Sequence, residues 1–146
     1  ARQLKEGDVV LKGANAFDAR GQAAVQIGSD VGGTILAVLP AVIGRRVQLL
    51  VPVGLEKRVF DDVNTIVQRV NAVGTEGPRM FPLPGQIFTE LDAIRLLTGA
   101  QAHLLAAGGA YGAEGSLWLG ITGTGEQVQA AADLIESVSD EPPCEV

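Results

Sequence analysis

The sequence predicts an α/β protein, with a parallel βαβ sheet unit followed by a small α+β subdomain of order α-β-β-α. Three observations predict this class. A helix-length apolar segment lies between two short strand-like runs, and the second run is apolar throughout, which is typical of a strand covered on both faces. The C-terminal half places two strand-like runs between two helical patterns. At 146 residues and 47% hydrophobic, the chain is long and apolar enough to bury a core.

The first half contains the elements of the βαβ unit. The segment 8–14, "DVVLKGA", predicts a short strand, and 22–28 predicts a weaker one. The segment 31–44 is apolar almost all round and predicts a buried helix, and 45–54 predicts the second main strand. An amphipathic helix is expected at 60–73, where Val and Ile recur at helical spacing.

A Pro- and Gly-rich segment separates the two halves. Residues 75–85 contain several breakers, so they predict a linker between a unit at 1–74 and a subdomain at 86–146. The expected elements of the subdomain are a helix at 88–99, strand-like runs at 100–109 and 116–123, and a helix at 124–138.

Composition excludes several classes of function. The net charge of −6 and the scattered basic residues argue against nucleic acid as a partner. The lone Cys144 excludes an internal disulfide, and with a single His it leaves no zinc-binding set, so no metal or cofactor is expected. No apolar run reaches about 18 residues and no signal peptide is visible, so we expect no membrane span and a cytoplasmic location. Because the chain opens at Ala1 without Met, it is open whether it is a trimmed part of a longer polypeptide.

Two glycine-rich breaks form the candidate ligand site. A helix that begins after a turn of small residues presents unpaired N–H groups and the positive end of its dipole, which suits an anion. In open parallel sheets, ligands bind beyond the carboxyl ends of the strands, where both breaks are expected. The alternative is that the glycines serve tight turns and close helix–strand packing. The predicted ligand-binding residues in these breaks are Gly13, Asn15, Gly28, Gly32, Gly33 and Thr34.

The same residues carry a family resemblance. The segment 8–59 resembles the second half of the sugar-phosphate isomerase superfamily, which includes ribose-5-phosphate isomerase, glucosamine-6-phosphate isomerase and the DeoR-type sensor domains. The shared pattern is a strand into Gly-Ala-Asp/Asn, a short turn with Gly, a Gly-rich segment, an apolar helix, and a strand leading to a basic residue. The matching positions are Gly13, Ala14, Asn15, Asp18, Gly21, Ile27–Gly28, Gly32–Thr34 and Lys57.

This resemblance implies a small phosphorylated or carboxylated metabolite as ligand, with Lys57 as a charge partner. The family often has an acid where Asn15 stands, and an amide cannot act as a base. Asp18 is the remaining candidate for a catalytic carboxylate if the protein performs isomerase-like chemistry. The family's first half has no counterpart before Ala1, so the resemblance implies a ligand-binding relative more readily than an active isomerase.

A different class of function is also open. The apolar helix at 31–43 and the Ala-rich closing helix could serve a homo-oligomer interface in a non-catalytic assembly or regulatory protein. His103 lies in an apolar run and is interpreted as a core or surface residue. The segment 108–115 is interpreted as an ordinary loop, with a mobile lid that presents Tyr111 and Glu114 as the alternative.

Overall fold

The computed structural model describes residues 1–139 and 141. Cys144 lies outside the described residues. The chain divides into two compact units, of which the first is Ala1–Phe88 and the second begins at Thr89. The architecture is α/β, as the sequence predicts.

The first unit is built on two three-stranded sheets. Its elements, in chain order, are β1 (Val9–Leu11), β2 (Ala16–Phe17), β3 (Ala23–Ile27), α1 (Gly33–Arg45), β4 (Gln48–Pro52), a 3-10 turn (Leu55–Lys57), α2 (Val63–Val70), β5 (Arg79–Leu83) and β6 (Gln86–Phe88). The strand orders are β1-β4-β6 and β2-β3-β5.

The sheet β1-β4-β6 is parallel throughout. Strands β1 and β4 are direct neighbours, with Val10 opposite Leu49, and α1 lies between them in the chain. The predicted βαβ unit is therefore confirmed. Leu49 and Val51 lie on one face of β4 and are buried, whereas Leu50 on the other face is half-buried, so the predicted cover is complete on one face only.

The sheet β2-β3-β5 is antiparallel and packs against α2. Strands β2 and β3 form a hairpin, and β5 pairs with the other edge of β3. The core between this sheet and α2 contains Ala24, Val63 and Val67, with Met80 of β5 packed against it. The amphipathic pattern of α2 thus faces the sheet, as its 3–4 spacing predicts.

The segment 75–85 differs from the predicted linker, because it contains β5. Pro82 and Pro84 suggested a break, yet β5 is an edge strand, where a proline without an N–H group is tolerated. Strand β6 also pairs with β4 of the first unit. The unit boundary accordingly falls between Phe88 and Thr89, later than the predicted boundaries at 74 and 86.

Helix α1 is apolar on all sides but is buried on only one. Ile35 and Ala41 are 1% and 0% exposed, whereas Leu36 and Ile43 are 38% and 72% exposed. The prediction of a buried helix is therefore correct for one face alone, and Pro40 lies within the continuous helix. Among the described residues, no helix is long and apolar enough to cross a membrane.

The second unit has the predicted α-β-β-α order. It contains α3 (Glu90–Thr98), β7 (Gln101–Ala107), β8 (Leu117–Thr122) and α4 (Gly125–Ser137), and β7 and β8 form an antiparallel pair. Ile94, Ala100 and Ala131 are the buried residues that join the two helices to this pair.

Candidate functional site

A cavity of about 230 Å³ lies at the start of α1. Lys12 directly follows β1, so this cavity lies at the carboxyl end of a parallel strand, the edge at which ligands of open α/β sheets bind. The polar and glycine residues that line it are Lys12, Gln26, Gly28, Ser29, Gly32, Gly33 and Thr34. Four of the predicted ligand-binding residues therefore share one cavity.

The turn into α1 requires glycine at two adjacent positions. Gly32 and Gly33 have φ angles of 80° and 63°, in the left-handed region that favours glycine. A Cβ at Gly32 would also overlap the side chain of Leu36. The alternative interpretation of the glycines, that they serve a tight turn and close packing, therefore applies to Gly32. Gly28 is different, since a Cβ there would meet no atom within 4 Å, and its lack of a side chain leaves space in the cavity.

Helix α1 begins without a side-chain cap. Its N-cap residue, Gly32, makes no side-chain hydrogen bond, and its first turn contains no acidic residue. Side chains bond the start of each of the other described α-helices: Asp62 accepts from the Thr65 N–H at α2, Asp92 accepts from the Thr89 N–H at α3, and Thr124 and Gln127 form a capping box at α4. The first N–H groups of a helix have no partner inside it, and they carry its positive partial charge. Since Gly33 and Thr34 line the cavity, the positive end of α1 opens into it.

Lys12 adds a full positive charge to this cavity. Its Nζ lies 3.5 Å from the carbonyl oxygen of Gly13, and among the described residues no carboxylate forms an ion pair with it. An ammonium group and a helix start on one small cavity create a positive potential that attracts anions. Sequence reasoning missed Lys12, because it lies inside the segment 8–14 that was predicted as a strand, and the strand ends at Leu11 only in the structure.

Gly13 and Asn15 lie outside the cavity lining. The Asn15 N–H donates to the Ala24 carbonyl at 2.9 Å, and its Oδ1 accepts from the Gln26 N–H at 2.8 Å. Asn15 thereby fixes β3, whose end at Gln26 and Ile27 lines the cavity. Asn15 therefore positions a wall of the cavity and does not itself line it.

Lys57 also lies away from the cavity. It ends the 3-10 turn, and its Nζ is 3.8 Å from Glu56 Oε1. The predicted cationic partner is thus already beside a carboxylate, and Lys12 stands where the sequence analysis expected Lys57.

Asp18 is buried and fully engaged by the backbone. Its Oδ1 accepts from the N–H groups of Arg20 and Gln22 at 2.8 and 3.1 Å, and its Oδ2 accepts from the Val63 N–H at 2.9 Å. Burial acts to raise the pKa of this carboxyl, but the backbone donors and the Arg20 guanidinium outweigh it and hold the pKa below its ordinary value. A carboxylate with a lowered pKa is a weak base. Asp18 lies outside the cavity lining, and its contacts are those of a link between the β2–β3 hairpin and α2.

No family model, curated protein or solved structure matches this chain. Within the described part of the chain, no group of three or more His, Cys, Asp or Glu residues could hold a metal ion. His103 is exposed on β7 of the second unit.

Proposed function

We propose that this protein binds a small phosphorylated or carboxylated metabolite in the cavity at the start of α1. The observation that carries the proposal is the uncapped helix start, which faces a cavity shared with Lys12, whose ammonium group forms no ion pair with the described part of the chain. The volume of about 230 Å³ is below the roughly 300–1,000 Å³ of pockets for drug-sized ligands, so it suits an anionic group with few further atoms. The cytoplasmic location predicted from the sequence stays part of this proposal.

The proposed function is binding, with no residue assigned to catalysis. Asp18, the one carboxylate that the resemblance implies as a base, is held by three backbone N–H groups away from the cavity. Isomerase-like chemistry would need a base within reach of a bound substrate. The resemblance to the sugar-phosphate isomerase superfamily is limited to short motifs, and it supports the ligand class more than a reaction.

A thermal-shift titration tests this function. Sodium phosphate should raise the melting temperature more than sodium chloride at matched ionic strength, because a ligand that binds only the folded state stabilises it by mass action. Lys12→Gln should lower the apparent affinity for phosphate, since it removes the ammonium group from the cavity.

Lys57→Gln is the matched control, because it removes the same charge from a site outside the cavity. It should leave phosphate binding unchanged. The proposal fails if neither phosphate nor small carboxylates shift the melting temperature at tens of millimolar. It fails equally if the two lysine variants weaken binding to the same extent.

A second candidate function is assembly of a homo-oligomer through α1. The observation that favours it is the exposed apolar face of this helix, since Ile43 is 72% exposed and residues 31–44 contain no charged side chain. Exposed apolar surface of this kind is typical of interaction sites. Light scattering would test it: a stable oligomer that dissociates in Ile43→Asp supports assembly, and a monomer at all concentrations excludes it.

A further inference from the structure

A second cavity adjoins the first on the other side of the turn into α1. Its volume is about 280 Å³. The two cavities share Ile27, Ser29 and Gly32 as lining residues. A ligand whose anionic group lies in the first cavity can therefore extend into the second across these three residues.

The polar side chains of the second cavity are already paired with protein groups. Arg79 Nη1 lies 3.2 Å from Asp30 Oδ1. Asn71 Nδ2 donates to the Met80 carbonyl at 2.7 Å, and Asn71 Oδ1 accepts from the Met80 N–H at 3.0 Å. The amide group of Asn71 is thereby used by the Met80 backbone, whereas the Arg79–Asp30 pair is exposed to solvent.

Four apolar side chains also form the wall of the second cavity. Ile27, Leu36, Met80 and Phe81 come from three different elements and converge on this cavity. An apolar group placed among them leaves water, which is favourable. A polyhydroxylated group placed against these four side chains would lose hydrogen bonds to water without gaining equivalent partners from them, which is unfavourable.

From this division we infer that the ligand is an anion that carries a short hydrocarbon or aromatic group, and is not a sugar phosphate. The inference rests on the proposed function, since the anionic group occupies the first cavity. The apolar group then lies against Leu36, Met80 and Phe81. This narrows the ligand class beyond what the family resemblance implies.

A comparison of three phosphates by calorimetry on the unaltered protein tests the inference. Inorganic phosphate reports the first cavity alone, phenyl phosphate adds an aromatic ring, and ribose 5-phosphate adds hydroxyl groups. Phenyl phosphate should bind at least about tenfold more tightly than inorganic phosphate, since a single methylene in an apolar pocket is worth about tenfold or more. Ribose 5-phosphate should show no such gain.

A pair of leucine substitutions locates the effect. Leu36→Gln replaces an exposed helical residue that lines the second cavity, so it should remove most of the phenyl phosphate gain and leave binding of inorganic phosphate unchanged. Leu97→Gln makes the same change on an exposed position of α3 in the second unit and should alter neither ligand.

The outcomes separate the two proposals. If ribose 5-phosphate binds as tightly as phenyl phosphate or more tightly, the inference is overturned while the proposed anion site stands. If none of the three phosphates binds, the proposed function fails and the inference fails with it. If Leu36→Gln weakens inorganic phosphate as much as phenyl phosphate, the apolar subsite is overturned.

Discussion

The two helices of the first unit begin in opposite ways. At the start of α2, Asp62 Oδ1 accepts from the Thr65 N–H at 2.8 Å, and Asp18 Oδ2 accepts from the Val63 N–H at 2.9 Å. At the start of α1, two glycines with positive φ replace any cap, and the nearby charge is the cation Lys12. One helix start is filled by two carboxylates of the chain, and the other is left open beside a positive side chain.

This difference indicates how an external anion would stabilise the start of α1. Carboxylates at α2 satisfy N–H groups that have no partner inside the helix, and they interact favourably with its dipole. A bound carboxylate or phosphate at Gly33 and Thr34 would meet the same need. The start of α2 thus serves as an internal example of the contact that the proposed ligand makes at α1.

The largest expected effect is the loss of the Asp18 carboxylate. Asp18→Ala leaves three backbone N–H groups without their acceptor, and one of them, on Val63, is in a buried region. Buried groups that lose their partners are costly, so we expect the free energy of unfolding to fall by about 2–3 kcal/mol, measured by urea denaturation.

Asp61→Ala is the control for this loss. Asp61 lies one residue before the N-cap of α2, and its ion pair with Arg69 is largely exposed. Exposed pairs contribute little, so the change should be below about 1 kcal/mol. Equal effects of the two substitutions would contradict the structural role assigned to Asp18.

The next effect is a loss of stability in acid that involves α2 and not α1. Hydrogen bonding from Thr65 lowers the pKa of Asp62, and three backbone donors outweigh burial and lower that of Asp18, so both lie below the ordinary value of 3.8. Their stabilisation is fully present above the pKa of the unfolded chain. It is lost as the pH falls through the lower pKa values of the folded protein.

Urea denaturation across a pH series measures this effect. The free energy of unfolding should fall as the medium is acidified below about pH 4. Asp18→Asn cannot titrate, so its acid dependence should be shallower. An unchanged slope in Asp18→Asn would show that Asp18 has the same pKa in the folded and unfolded states.

The features of α1 and its cavity that the sequence predicted are those that depend on local patterns. Helix α1 was expected at 31–44 and lies at Gly33–Arg45, because apolar periodicity and flanking glycines are local signals. The cavity residues Gly28, Gly32, Gly33 and Thr34 belong to one turn, so their proximity follows from the chain itself. The resemblance added Lys57 and Asp18, neither of which lines the cavity.

The features that the sequence did not predict depend on contacts between distant segments of the chain. The role of Asp18 depends on the Val63 backbone, 45 residues away, and no local motif reveals such a contact. Strand β5 was predicted as linker because the sequence does not show that Pro82 lies on an edge strand. Lys12 became recognisable only when β1 and the start of α1 were placed side by side.

Thr124 caps α4, whereas Thr34 lies in the uncapped first turn of α1, so we expect their substitutions to differ in effect on stability. Thr124 accepts from the Gln127 N–H at 3.3 Å, and its own N–H donates to Gln127 Oε1 at 2.9 Å. Thr124→Ala should lower the free energy of unfolding by about 1 kcal/mol, the usual effect of losing an N-cap. Thr34→Ala, in the uncapped first turn of α1, should change it by less than about 0.5 kcal/mol. A larger effect at Thr34 would mean that α1 has a cap after all.

The smallest expected effect comes from giving α1 the acid that it lacks. Thr34→Glu places a carboxylate in the first turn, where it should raise the free energy of unfolding by about 0.3–1 kcal/mol at low ionic strength. The same carboxylate repels a bound anion, so phosphate should bind more weakly even though the free protein is more stable. Urea denaturation and calorimetry on the one variant measure the two effects separately.

Ala37→Glu is the control, because it adds the same charge to an exposed position of α1 that does not line the cavity. The favourable interaction with the helix dipole falls off after the first turn, so this variant should gain less stability and keep more of its phosphate affinity. If Thr34→Glu bound phosphate as well as the unaltered protein, the positive end of α1 would not be the anion site. Opposite changes in stability and binding, found at Thr34 and not at Ala37, would instead mean that a ligand supplies at α1 what Asp18 and Asp62 supply at α2.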